Sequence, residues 1–219
     1  YGCLVGSEMC IRDRTNPFYL RHLEKLRSDF FDTEGYHDEE FYTIHQDYDK
    51  GEYYCSPEYL NVMRLKNHDG YPDAGFCQPL SKMATVDHRN WKSFWEYWRY
   101  EFPPLLGATH NALLNYYPAG GFIGWHTNQN ATAYQMMFTY SEKGEGYFNY
   151  YDMEENVIVS LEDKKGWQCR WYYFGSDDEP EKHFWHSAYT SCDRFTMAVK
   201  FSDKNMLDMA IDDLTSSEQ

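Results

Sequence analysis

Between residues 108 and 201 the chain is cut into short apolar or alternating runs by Gly, Asn and charged turns, and this rhythm limits what it can become. Candidate strands fall at 110–117, 121–127, 132–140, 146–151, 156–160, 168–174, 183–189 and 194–201. Parallel strands need a crossover of a dozen residues or more, and the gaps here are too short for one. An α/β sheet is therefore excluded, and a mainly β sandwich or jelly-roll barrel is expected.

The flanks read differently. Asn16-Pro17 is a helix start, a capping side chain followed by Pro at the first helical position. Phe18, Leu20, Leu23, Leu26 and Phe30 then mark one helical face. Residues 32–80 are rich in Asp, Glu, Gly, Pro and Tyr and read as long loops, with one or two short strands around Phe41–Ile44. A second helix is expected over Trp91–Glu101, capped near Asn90 and stopped by Pro103-Pro104. In the tail, Leu207, Ala210, Ile211 and Leu214 share a face of a short packing helix. The expected organisation is one globular domain, with helical and loop-rich support at 15–107, a jelly-roll core at 108–203 and a C-terminal helix and tail at 204–219. The opening YGCLVGSEMCIRDR lacks the basic start and continuous apolar centre of a signal peptide. It resembles a translated sequencing-adapter scar, so residues 1–14 are set aside from the fold.

Thirty-five acidic residues against 20 basic ones give a formal net charge of −15. Such a surface repels phosphate backbones and anionic lipid, which disfavours nucleic acid and favours a neutral or cationic substrate. The six Cys form no CxxC pair and no dense framework, so buried free thiols and a cytoplasmic location are expected. No apolar run approaches the ~18–20 residues that span a bilayer, and no membrane association is expected.

Of the nine His, His22, His37, His45, His68, His88 and His110 lie in helical or loop contexts without a partner at metal spacing. His126 and His186 differ, since each follows a Trp in a strand-like run. A jelly roll can bring its second and seventh strands face to face. Two imidazoles and one oxygen ligand then make the facial arrangement of a non-heme iron site with open positions. Eight residues after His186 comes Arg194, followed by Thr196, in an apolar strand. An Arg inside a barrel requires a carboxylate, and its planar fork suits a dicarboxylate held end-on, with a hydroxyl adding one more bond.

Together these segments resemble the 2-oxoglutarate/Fe(II)-dependent dioxygenase superfamily. LLNYYPAGGFIGWHTN is similar to the AlkB-type order of Asn-x-Tyr, a Pro/Gly turn and the first iron-binding His. AYQMMFTYSEKGEGYFNYYD is similar to a prolyl-hydroxylase-like strand, Gly hairpin and aromatic strand. KKGWQCRWYYF and WHSAYTSCDRFTMAVKF resemble the strands that carry the distal His and the Arg-x-Ser/Thr pair. The resemblance implies a double-stranded β-helix, a cupin-like jelly roll, with Fe(II), 2-oxoglutarate as co-substrate and O2. It makes His126 and His186 iron ligands, with Arg194 and Thr196 on the distal carboxylate of 2-oxoglutarate. Asn115 and Tyr117 match further co-substrate positions, and Tyr134, with Tyr140 beside it in rank, lies on the strand that adds a hydroxyl or aromatic wall.

One position departs from this pattern. Asn128 stands where the usual His-x-Asp motif has its carboxylate, so a neutral carbonyl oxygen replaces a charged ligand. Three outcomes are open. Asn128 ligates through its carbonyl, or another acid replaces it, and oxygenation proceeds; an anion such as chloride fills the position, as in related halogenases; or iron is lost and the fold persists as a silent binding module. Asp152, Glu142 and Glu145 are the substitute acids in range, and each reads first as a solvated turn residue, as does Asn130. The expected substrate is a peptide or protein side chain or a small molecule, in a groove built by residues 36–80 and the barrel edge. Nucleobase demethylation is the runner-up, supported by the Asn-x-Tyr segment and opposed by the net charge.

Overall fold

The computed structural model describes residues 16–32, 43–44, 48–68, 70–79, 89–128, 133–175, 178–179 and 182–216. Apolar alternation builds eight consecutive strands: β3 (His110–Tyr117), β4 (Phe122–His126), β5 (Ala133–Ser141), β6 (Gly146–Asp152), β7 (Val157–Glu162), β8 (Gly166–Phe174), β9 (His186–Thr190) and β10 (Arg194–Phe201). Two short strands precede them, β1 (Thr43–Ile44) and β2 (Gly75–Pro79). Every pairing is antiparallel. β3, β10, β5 and β8 pair in that order on one side, and β4, β9, β6 and β7 on the other, while β2 pairs with both β3 and β4 and joins the two. Successive strands from β3 to β10 alternate between the two sides except at the β6–β7 hairpin, which is a double-stranded β-helix, mainly β as the sequence implies.

Helices cover the outside of both sheets. α1 (Pro17–Phe31) is capped by the Asn16 side chain, which accepts from the Phe18 amide at 3.0 Å. Its buried face is Tyr19, Leu23, Leu26 and Phe30. Residues 48–65, read from the sequence as loop, instead carry a 3-10 turn (Tyr48–Lys50), α2 (Gly51–Tyr54) and α3 (Pro57–Leu65). The signal for α3 was present: Ser56 caps it by accepting from the Tyr59 amide at 3.3 Å, and Pro57 occupies the first turn. α4 (Arg89–Glu96) is followed by a π-helical stretch, Tyr97–Glu101, and then by α5 (Phe102–Leu105). The helical path thus runs through Pro103-Pro104 and does not stop there. A proline lacks an amide proton, and the π turn before it and the first-turn position of Pro103 accommodate that loss. α6 (Lys204–Thr215) starts at Asp203, whose side chain accepts from the Met206 amide, and buries Leu207, Ala210 and Leu214. Phe41 and Tyr42, the start of the expected early strand, lie outside the described residues, as does the 1–14 segment.

The pleat decides which side chains meet. On β10, Phe195, Met197, Val199 and Phe201 pack outward with α1, α4 and α6 residues such as Phe30, Trp91, Phe94 and Leu207. Arg194, Thr196, Ala198 and Lys200 alternate to the inside. On the opposite sheet Trp125 and Trp185 face outward onto Tyr59, Leu60 and Met63 of α3. Burying aromatic surface of this kind contributes ~1.5–3 kcal/mol per large side chain, so the outer layers anchor the strands firmly. Trp125 Nε1 also donates to the Ser56 carbonyl at 2.9 Å, tying β4 to the start of α3.

Candidate functional site

The outward turn of Trp125 and Trp185 forces their neighbours inward. His126, the last residue of β4, and His186, the first of β9, are register partners across the sheet. Their rings lie 4.1 Å apart by centroid, and both are buried. His126 Nδ1 lies 2.8 Å from the Gly124 carbonyl, and His186 Nδ1 lies 2.8 Å from the Phe184 carbonyl. A carbonyl can only accept, so each Nδ1 carries the proton and each Nε2 keeps a lone pair, the tautomer of a metal ligand. Burial lowers both imidazole pKa values. His186 falls to about 4, and His126, which also faces His186, lies well below the ordinary value. Both rings are thus neutral near pH 7.

Asn128 follows at the end of this strand with φ +67°, a left-handed conformation that Asn and Asp tolerate better than most residues. Its amide Nδ2 lies 3.4 Å from His186 Nε2 and donates to that lone pair. Rotation of the amide about Cβ–Cγ would present the carbonyl oxygen instead. Asp152 does not replace it: Oδ1 of Asp152 accepts from the Glu154 and Glu155 amides, each at 3.0 Å, in an exposed turn. Glu142 and Glu145 are exposed, as expected of turn residues. Among the described residues no group of three His, Cys, Asp or Glu side chains converges. The fit to iron is therefore two imidazole nitrogens and one neutral amide oxygen, a set that carries no charge. Asn130, His37, His45 and His88 lie outside the described residues.

The far wall of the same cavity, ≈ 730 Å³ in volume, is made by β3, β5, β8 and β10. Arg194 is 1 % exposed there. Its Nε donates to Asp163 Oδ2 at 2.8 Å and one Nη to Thr196 Oγ1 at 3.0 Å, while the other Nη is buried with no hydrogen-bond partner. Asp163 Oδ1 accepts from Gln168 Nε2 at 2.7 Å and lies 3.4 Å from Arg170 Nη1. One carboxylate thus lies between two buried guanidinium groups. Burial works against the Arg194 charge, but Asp163 outweighs it and holds the pKa above the ordinary value. Tyr172 also lines the cavity with its hydroxyl buried and unpartnered, and burial keeps that phenol protonated. Gly146 makes room for Asp163: a Cβ there would stand 2.7 Å from Asp163 Oδ2.

Asn115 and Tyr117 lie on the inner face of β3 and line the cavity. The Asn115 amide donates to the Tyr117 hydroxyl at 3.3 Å, and the Arg194 guanidinium lies 5.3 Å from the Tyr117 ring centre. Tyr134 is placed otherwise. It packs with Tyr140 against the outer, helix-covered core, its ring 4.7 Å from that of Tyr173, while Gln135 and Met137 of the same strand face the cavity. The period of two puts odd-numbered β5 residues inside, so the even-numbered tyrosines cannot reach a ligand there. Sequence reasoning missed Asp163, Gln168, Arg170 and Tyr172. Arg170 in the apolar run QCRWYY was the available signal, since a buried Arg calls for a nearby acid.

No family model matches the chain, and no curated protein matches it. Among solved structures it is similar to a prolyl-4-hydroxylase from Pseudomonas putida, at 10% identity over 69% of this chain and 90% of that one, with a TM-score of 0.33. It is also similar to a prolyl hydroxylase from Trichoplax adhaerens in complex with a hypoxia inducible factor peptide fragment, at 10% identity over 91% of this chain and 99% of that one, TM-score 0.35. A ribosomal oxygenase from Escherichia coli is similar at 14% identity over 65% of this chain and 35% of that one, TM-score 0.30.

Proposed function

We propose that the chain is a 2-oxoglutarate- and Fe(II)-dependent oxygenase that hydroxylates a C–H bond of a peptide or protein side chain or a small molecule. One observation carries this reading: the Nε2 lone pairs of two buried imidazoles, one of them met only by the Asn128 amide at 3.4 Å, and the unused donor of a buried Arg face a single cavity. A cation and a carboxylate are the partners those groups lack. His126 and His186 hold the metal through Nε2, with the Asn128 carbonyl oxygen as third ligand. Arg194 and Thr196 bind the distal carboxylate of 2-oxoglutarate, with Tyr172 placed to add a hydrogen bond, and Asn115 and Tyr117 position the co-substrate. Phe148, Phe174 and Met137 form apolar wall and keep water from the reacting atoms. Bound iron supplies the coupling R–H + 2-oxoglutarate + O2 → R–OH + succinate + CO2.

A second reading is supported by Asn128 and by the lack of a converging carboxylate among the described residues: a silent module that keeps the carboxylate site and has lost iron. Anaerobic loading with Fe(II) and 2-oxoglutarate, then exposure to O2 with succinate measured, separates the two. Succinate formation that is lost in His126→Ala supports the oxygenase. No succinate and no Fe(II) binding, together with retained 2-oxoglutarate binding, supports the module.

A further inference from the structure

The cavity and the outer surface of this chain differ in charge. The chain as a whole carries −15, yet no described residue that lines the cavity is an Asp or Glu, whereas Arg99, Arg194 and Lys200 all line it. Arg194 has Asp163, but neither Arg99 nor Lys200 has an ion-pair partner among the described residues. Topology places Lys200. β9 runs from His186 to the turn at residues 191–193, and β10 returns from Arg194, so the far end of β10 lies at the same open end as the histidine pair. Lys200 is six residues along an extended strand from Arg194, ~20 Å, beyond the reach of one small dicarboxylate held at Arg194. The alternation that turns Arg194 and Thr196 inward also turns Lys200 inward, where it is half-buried. Arg99 comes from the π-helical stretch that packs against β3, its guanidinium 6.0 Å from the Trp95 ring centre, and Trp95 and Trp98 line the same cavity.

We propose that Lys200 and Arg99 form an anion subsite at the open end of the cavity, which takes the carboxylate or phosphate of the substrate while its apolar body lies against Trp95 and Trp98. This deepens the oxygenase reading and rests on it for the word substrate. It also reverses the expectation drawn from net charge: the acidic exterior sets long-range repulsion, while the cavity supplies the local positive field a bound acid experiences. Neither cation meets an acid among the described residues, and an entering anion would give both charge-assisted hydrogen bonds.

The test is binding of a panel of aromatic and alkyl carboxylates, matched phosphate esters and matched neutral amides to the full chain, read by tryptophan fluorescence with 2-oxoglutarate present in excess. The acids are expected to bind about tenfold tighter than the paired amides, and Lys200→Gln and Arg99→Gln, both outside the metal and co-substrate machinery, to remove most of that preference. Carboxylates alone, phosphates alone or both preferred over amides supports the subsite and identifies its anion. Equal binding of acids and amides, binding by no member of the panel, or a preference unchanged in both variants overturns it. So does competitive displacement of the acids by 2-oxoglutarate, which would assign them to Arg194. Failure of the oxygenase reading shows separately, as an absence of succinate while acid binding persists.

Discussion

At the closed end of the cavity a carboxylate and two guanidinium groups share a dense network with Gln168 and Thr196, whereas at the open end two neutral imidazoles stand almost unbonded at Nε2. The closed end is hydrogen-bonded through buried charged groups. The open end is neutral and has the amide of Asn128 resting against one lone pair. Charge at the closed end is structural, because Asp163 is the acid that meets the buried Arg194 and also contacts Arg170. At the open end the two imidazoles bear little of the fold, since each Nδ1 makes one hydrogen bond, to the carbonyl two residues before it. The two ends should therefore respond in opposite ways to substitution.

The largest effect is expected at Asp163. Asp163→Asn removes the carboxylate that Arg194 Nε and Arg170 Nη1 both meet and should cost ~3–5 kcal/mol, read from a denaturant midpoint. Adding Arg170→Met to that variant should restore part of the loss. A mild single-variant effect would break the claim that the closed end is structural. Next is pH. In metal-free protein the folded imidazoles have lowered pKa values, so the unfolded chain takes up protons first as pH falls. Stability should be intact above about pH 6.5 and decline towards pH 4, by up to ~3 kcal/mol for His186. His186→Gln should flatten that part of the profile, and a slope unchanged in the variant would argue against neutral imidazoles.

Asn128→Asp should act on metal alone. Asp tolerates the left-handed backbone at this position and restores a charged oxygen ligand. Co(II) or Fe(II) affinity should rise about tenfold or more, with 2-oxoglutarate affinity in metal-free protein unchanged. Equal metal affinity would place Asn128 outside the coordination sphere. The smallest effect is expected for Tyr134→Phe, which changes an outward ring. Metal and 2-oxoglutarate affinities should stay within about twofold and stability within ~0.5 kcal/mol. A large loss would mean that β5 presents its other face to the ligand.

Much of this molecule was legible in its residues. β3 and β10 occupy the spans expected from alternation, and the other six expected strands differ from observation by three residues or fewer at either end. Alternation is a local property, and short strands bounded by Gly and Asn express it clearly. The inward pairing of His126 and His186 follows from the same period once their tryptophans are turned outward. α3 was hidden because it is short, nine residues within a polar, Tyr-rich context, although Ser56-Pro57 announced its start.

What the sequence determined by itself is the strand rhythm, the relative face of each side chain along its own strand, and the presence of two His, an Arg and an anomalous Asn in an order that suits one cavity. Tertiary structure decided which face was inside, and so sent Tyr134 to the helix layer and Gln135 to the cavity. It also brought Asp163, 31 residues from Arg194 in the chain, into the barrel end, and lined the cavity with Arg99, Arg194 and Lys200 but, among the described residues, with no Asp or Glu. The physical reason is range. A period of two links neighbours within a strand, but charge compensation and local potential depend on distances that only closure of the two sheets sets.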